Sequence, residues 1–237
     1  MAADRLDKIL CGTGHFSRSE ARTLILSGVV TVDGRTVRKP EEKAERTSAI
    51  TVRGERIDPA LYVYYMMNKP RDYVSATRDE HYPAVTGLLP PFLQRRGLFP
   101  VGRLDADVTG LLLLTDDGAY AHRITSPRRQ VKKVYEVHTD GPLLPEHRAL
   151  LQNGVTLSDG TSYRPAELSV FGEDPTAGLV TVTEGKYHEV KNLLAACGRR
   201  VLSMKRRSIG ALRLDEELPE GAFRQLTEEE AEFALLP

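Results

Sequence analysis

The segment VGRLDADVTGLLLLTDDG, from Val101 to Gly118, holds the side chains best spaced to do chemistry. Asp105 falls in a loop ahead of an apolar strand that ends in the turn Asp116-Asp117-Gly118, so its carboxylate is expected at a strand edge facing a cleft. An ionised carboxylate in such a place can act as a nucleophile or as a base. The same residue also fits a turn or a helix cap, the ordinary work of a loop aspartate. Taken locally, the segment leaves both readings open. Arg103, two residues earlier, is placed to orient that loop or to keep its acid ionised.

Cations gather elsewhere in the chain. From His122 to Lys133 there are five Lys or Arg and no carboxylate, and from Val190 to Arg213 there are seven and again none. The compensating acid lies in the tail from Leu214 to Pro237, with eight carboxylates against one Arg. The formal net charge of zero therefore conceals a segregation compatible with a phosphate-binding face, because a nucleic acid responds to local potential. In the helix expected at His188 to Cys197, Val190, Leu193, Leu194 and Cys197 form the apolar stripe, which leaves Lys191 on its flank near the start.

The elements that must position these groups fall into two parts. Asp4 to Gly34 reads as helix, helix, strand: Leu6, Ile9 and Leu10 make one apolar stripe, and Ala21, Leu24 and Ile25 another. Ser17 with Glu20 is a capping box, Gly28 a stop signal, and Val30 and Val32 lead into the tight turn Asp33-Gly34. A second short strand pair spans Ile50 to Ile57 with Gly54 at its turn, and Asp58-Pro59 marks a boundary. Beyond it, strands are expected at Tyr62 to Met67, Leu111 to Thr115, Lys133 to His138, Ala166 to Val170 and Leu179 to Thr183, with helices at Pro145 to Gln152 and His188 to Cys197. Irregular spacing between these strands predicts an α+β domain with a mainly antiparallel sheet.

The composition, 41% hydrophobic and 28% charged, is that of an ordinary globular protein. Its longest apolar runs fall far short of the roughly 20 residues needed to cross a bilayer. The N-terminus carries Asp4 and Asp7 and lacks the pattern of a secretory signal, so a cytoplasmic location is expected. Cys11 and Cys197 have no metal-ligand spacing and read as small apolar residues.

Set beside known families, RLDKIL followed by SRSEARTLILSGVVTVDG resembles the S4 RNA-binding module, whose exposed face here would carry Arg5, Lys8, Arg18, Arg22, Arg35, Arg38 and Lys39. The Val101 to Gly118 segment resembles the GRLDxxTxGLLLLTxDG signature of RsuA/RluB-type pseudouridine synthases. MNKPRDYVSA (Met67 to Ala76), ITSPRRQVKKVYEV (Ile124 to Val137), EGKYHEVKNLLAACG (Glu184 to Gly198) and the closing LPEGAFRQLTEEE resemble further motifs of that family. The form Tyr-His-Glu-Val-Lys favours its small-subunit branch.

The resemblance implies a small S4-like RNA-binding domain over residues 1–58, then a catalytic domain over residues 61–237 with a mainly antiparallel mixed sheet and a central cleft. It implies conversion of uridine to pseudouridine in small-subunit ribosomal RNA, free or in a partly assembled ribonucleoprotein, by a monomer without cofactor, metal or membrane. Carried over, Asp105 is the essential carboxylate, Tyr135 the aromatic residue that stacks on the target base, and Lys191 the cation that pairs with the acid. Arg103, Leu104 and Leu193 would contribute to the substrate pocket. Arg128, Arg129, Lys132 and Lys133 would meet phosphates. Two departures stand out: Asp72 replaces a usual Gly, and Asn192 a second basic residue.

Two other readings compete. Asp105 to Thr109 fits DxDx(T/V), the nucleophile motif of magnesium-dependent haloacid-dehalogenase-type phosphatases, though Gly-Arg-Leu precedes it where a continuous apolar strand is needed. A non-catalytic S4-type ribosome assembly factor would need only the basic surfaces.

Overall fold

The computed structural model describes residues 3–236. It divides into two compact units, one running to Val63 and taking in Leu89–Leu98, the other formed by Tyr64–Leu88 and the chain from Phe99 on.

In the first unit the helices Leu6–Gly12 and Arg18–Ser27 pack with an antiparallel sheet whose order is Arg35–Val37, Val30–Val32, Ile50–Val52, Glu55–Ile57. The second helix starts where its capping box forms: Glu20 N–H donates to Ser17 Oγ, and Ser17 N–H donates to Glu20 Oε2 at 2.7 Å. It stops at Gly28, which takes a φ of 77°. Leu6, Ile9, Leu10, Ala21 and Ile25 meet Val30, Val37 and Ile50 in one core. A short helix, Pro91–Arg96, arrives from much later in the chain and belongs to this unit. Arg95 Nε donates to Gly14 O at 2.8 Å, Arg96 Nη2 donates to Ala60 O at 2.9 Å, and Phe92 stacks on His15.

The second unit is built on a nine-stranded sheet. Its main path runs Glu167–Val170, Ala177–Val182, Lys133–Thr139, Val201–Ile209, Thr109–Thr115, Tyr64–Lys69, Phe223–Gln225. Every pairing along it is antiparallel except that between Val201–Ile209 and Thr109–Thr115. The strand Thr109–Thr115 is central and covered on both faces, which explains its unbroken run Leu111–Leu114, every residue of it buried. Lys133–Thr139 alternates instead, with Lys133, Tyr135, Val137 and Thr139 turned inward. Helices Gly118–Thr125 and Glu228–Phe233 cover one part of the sheet through Tyr120, Ile124 and Ala231. The expected α+β class with an antiparallel-rich mixed sheet is what the chain forms, and no helix among the described residues is long and apolar enough to cross a membrane.

Two features lay outside the sequence reading. The turn Asp116-Asp117-Gly118 is also a helix start: Asp117 Oδ1 accepts the N–H groups of Ala119 and Tyr120 at 2.9 and 3.0 Å. The basic stretch after Cys197 is the long strand Val201–Ile209. Its parallel contact with Thr109–Thr115 is close because Gly110, at a φ of 101°, has no side chain; a Cβ there would lie 2.4 Å from Arg206 O and 2.7 Å from Arg206 N. Gly110→Ala is therefore expected to lower stability by about 1–3 kcal/mol, read as a lower urea midpoint. An unshifted midpoint would mean that the two strands separate at no cost.

Candidate active site

Asp105 sits in the loop that enters Thr109–Thr115, and the segment Met67–Ala76 holds that loop at three points. Lys69 ends the strand Tyr64–Lys69 with its side chain wholly buried, and its ammonium donates to the carbonyls of Pro70 (2.9 Å), Ala106 (3.2 Å) and Val108 (2.7 Å). Three carbonyls replace the water that a buried cation gives up. Burial still pushes its pKa down to about 8, against the pull of Asp107 and Asp105. Asp72, in the position where glycine is usual, takes a φ of 65°, and its N–H donates to Ala106 O at 2.8 Å. A short polar side chain tolerates this left-handed backbone. Ser75 Oγ donates to Leu104 O and accepts from Leu104 N, at 3.0 and 2.9 Å.

The side chain so presented joins a charge cluster. Lys191 Nζ lies 2.9 Å from Asp105 Oδ2 and 2.8 Å from Asp107 Oδ1. His188 Nε2 is 3.4 Å from the same Asp105 oxygen. Burial alone would raise the Asp107 carboxyl, but the hydrogen bond and charge of Lys191 outweigh it and hold the pKa below 3.8. Burial likewise opposes the charge on Lys191, and the two aspartates reverse that, raising its pKa. The Asp107–Lys191 pair is thus held in its ionised form.

Beside it lies a small cavity of about 60 Å³ lined by Arg103, Leu104, Asp105, Val108, Tyr135, His188, Val190 and Met204, among others. Tyr135 forms part of the wall, and behind it stands Arg206, only 3% exposed. Its Nε donates to Leu111 O at 2.7 Å, and its guanidinium faces the Tyr135 ring at 5.9 Å. Its Nη2 has no hydrogen-bond partner among the described residues.

The structure thus brings Asp105, Tyr135 and Lys191 to one place, with Arg103 and Leu104 beside them. Arg103, Arg128, Arg129 and Lys132 are exposed. Two expectations need correction. Lys133 is buried, and its ammonium donates to the carbonyls of Val131 and Glu184 at 2.9 and 3.2 Å, so it is not available to a phosphate. The strand's alternation turns it inward, on the same side as Tyr135. Leu193 is fully buried in the helix core, and it is Val190 of the same helix that lines the cavity.

Asn192, found where a second cation was expected, donates to Tyr163 Oη at 2.7 Å. In the first unit Arg18 and Arg22 are exposed, Lys8 pairs with Asp4 at 2.9 Å, and Arg5 is held by the buried Asp7 at 2.8 Å. Sequence reasoning missed Lys69, Asp107, His188 and Arg206 as members of the site. For Lys69 the signal was a lysine closing an otherwise apolar strand; for His188, its adjacency to the helix that carries Lys191.

An S4 fold together with a mixed sheet at which a loop aspartate, a strand tyrosine and a helix lysine meet defines a class of RNA-modifying protein. Residues 63–196 match the family described as RNA pseudouridylate synthase, and residues 4–50 match the S4 domain. The chain belongs to the RNA pseudouridylate synthase family, whose members are isomerases. It is 42% identical over 229 residues to an uncharacterized RNA pseudouridine synthase of Bacillus subtilis, covering 95% of this chain and 96% of that protein. It is 39% identical over 227 residues to the ribosomal small subunit pseudouridine synthase A of Vibrio cholerae, covering 95% and 97%. A crystal structure of a pseudouridylate synthase, 34% identical, matches with a TM-score of 0.69 over 97% of this chain and 99% of that one. The phosphatase reading fails on the fold, since the sheet carrying Asp105 has one parallel pairing along its main path.

The Lys69 clamp has a pH signature. Its pKa of about 8 lies below the ordinary 10.5, so between these values the unfolded chain binds the extra proton and the Lys69 contribution to stability rises with pH. Urea unfolding of the native protein and Lys69→Met at pH 8 and pH 10 should show the stability difference growing in favour of the native chain. A difference that shrinks over that interval would contradict the assignment.

Proposed function

We propose that this chain converts a uridine of small-subunit ribosomal RNA to pseudouridine, with Asp105 as the catalytic carboxylate. The observation that carries the reading is the ion pair between Asp105 and Lys191 at the mouth of a cavity walled by Tyr135. The reaction breaks the bond from ribose C1′ to uracil N1 and forms one from C1′ to C5. The C5 proton is lost and N1 gains one, so the composition is unchanged and no redox partner is needed. Asp105, paired with Lys191, supplies the nucleophile or base. Tyr135 stacks on the everted base, which must leave its own stack to reach the acid.

The name of the Vibrio cholerae relative points to small-subunit RNA as the substrate, and the protein acts as a cytoplasmic monomer. The S4 domain, assigned to residues 1–58, grips RNA through the face bearing Arg5, Lys8, Arg18 and Arg22. The catalytic domain, proposed over residues 61–237 with Leu89–Leu98 and the chain up to Val63 belonging to the first unit, adds Arg103, Arg128, Arg129 and Lys132 as phosphate contacts. Phosphate contacts position the strand without reading its bases.

Purified protein incubated with unmodified small-subunit RNA, with and without ribosomal proteins, should yield pseudouridine at a defined position in a position-resolved map. Asp105→Asn should abolish the product, a fall of at least about a thousandfold, while binding the RNA. Affinity should fall steeply as salt is raised, since each phosphate contact releases counterions. Binding without modification at any position by the native protein would instead favour an assembly factor.

A further inference from the structure

Tyr187 is 74% exposed, and a single exposed aromatic is ordinary on a protein surface. This one is unusual in how firmly its surroundings are held. Glu189, itself buried, accepts the N–H groups of Gly185 and Lys186 on one carboxylate oxygen at 2.7 and 3.2 Å. Lys186 is tied to Ser162 O at 2.6 Å and to Glu184 at 3.1 Å. The Tyr187 carbonyl accepts from Asn192, whose amide also bonds Tyr163 Oη. The loop therefore presents the Tyr187 ring to solvent on fixed backbone, with no core to gain from it.

Its inner face is occupied. The ring stacks on His188 with centroids 3.7 Å apart and planes at 23°. His188 in turn reaches Asp105 Oδ2 at 3.4 Å and lines the cavity. An aromatic column thus runs from solvent to the acid, ending in one open ring face. Arg103 and Lys186 line the same cavity.

We infer that Tyr187 is a substrate-positioning residue, stacking on the unpaired base adjacent to the uridine that enters the cavity. The inference rests on the proposed function, and it specifies how the neighbouring nucleotide is held. Tyr135 lies within the wall and meets the everted base, whereas Tyr187 lies outside it, one residue from the lining, where the strand continues. An aromatic face accepts any base, and stacking of this kind is sequence-tolerant. It fixes the backbone on one side of the target while the target rotates out.

The test uses the full chain and RNA fragments centred on the uridine that the native protein converts. Three fluorescein-labelled RNAs are compared by anisotropy: one intact, one lacking the base on the 5′ side of the uridine, and one lacking it on the 3′ side. Tyr187→Ala should weaken binding of the intact RNA about tenfold, and Tyr187→Trp should restore it. On one of the two abasic RNAs, native protein and Tyr187→Ala should bind equally. Equal binding of the intact RNA by both proteins overturns the inference, as does the same loss on both abasic RNAs. Conversion by the native protein is scored in parallel. Its absence on every RNA removes the parent reading and this inference together, whereas conversion with equal binding removes this inference alone.

Discussion

A buried ammonium on three backbone carbonyls is the constraint on which the site depends. Lys69 gives up hydration that Pro70, Ala106 and Val108 must replace, and a buried cation short of partners would be costly. The two carbonyls on either side of Asp107 are therefore drawn to one point at the end of the strand Tyr64–Lys69. Asp105 inherits its position from that backbone. The hydroxyl of Ser75 and the left-handed turn at Asp72 secure the same loop from the same segment. A functional loop would otherwise be the most mobile part of the unit; here it is tied to the sheet through its main chain, which leaves its carboxylates free to act.

The clasped loop gains its chemistry from the helix Glu189–Ala196. Lys191 sits between two carboxylates, so the acid proposed to react shares its counter-ion with Asp107. That cation favours the charged form of Asp107 and ties both carboxylates to one helix. His188 adds a second neighbour to Asp105. Behind Tyr135, the buried Arg206 bridges to the backbone of Leu111 and fixes the opposite wall. Acid, cation and aromatic side chain come from three separate stretches of chain, and the strand Val201–Ile209, paired with Thr109–Thr115 on one side and Lys133–Thr139 on the other, brings the Asp105 and Tyr135 stretches together.

A chain with zero formal charge still sorts its cations by what the fold does with them. Arg128, Arg129 and Lys132 stay in solvent, while Lys133 and Arg206 are drawn inside to satisfy carbonyls and support the Tyr135 wall. Sequence runs of basic residues therefore overstate the surface available to RNA. Alternation along a strand decides which members of the run remain outside.

Local signals alone determined much of this protein. The capping box at Ser17, the stop at Gly28, the Asp33-Gly34 turn and the strands at Tyr64–Lys69, Thr109–Thr115 and Lys133–Thr139 follow from short-range periodicity and turn chemistry. The stripe that leaves Lys191 on its flank was legible for the same reason, whereas the local pattern left Asp105 open between a catalytic and a turn residue and only the resemblance of its motif to a known family singled it out. Only the tertiary structure decided that Val201–Ile209 pairs parallel to Thr109–Thr115, that Pro91–Arg96 joins the first unit, and that Lys69 clamps the Asp105 loop. Helical and strand periods are properties of neighbours in sequence. The partner of a carbonyl, or the side of a sheet on which a lysine is buried, is set by groups far away in the chain, as where Asn68 donates to Leu218 O, and no local pattern encodes that distance.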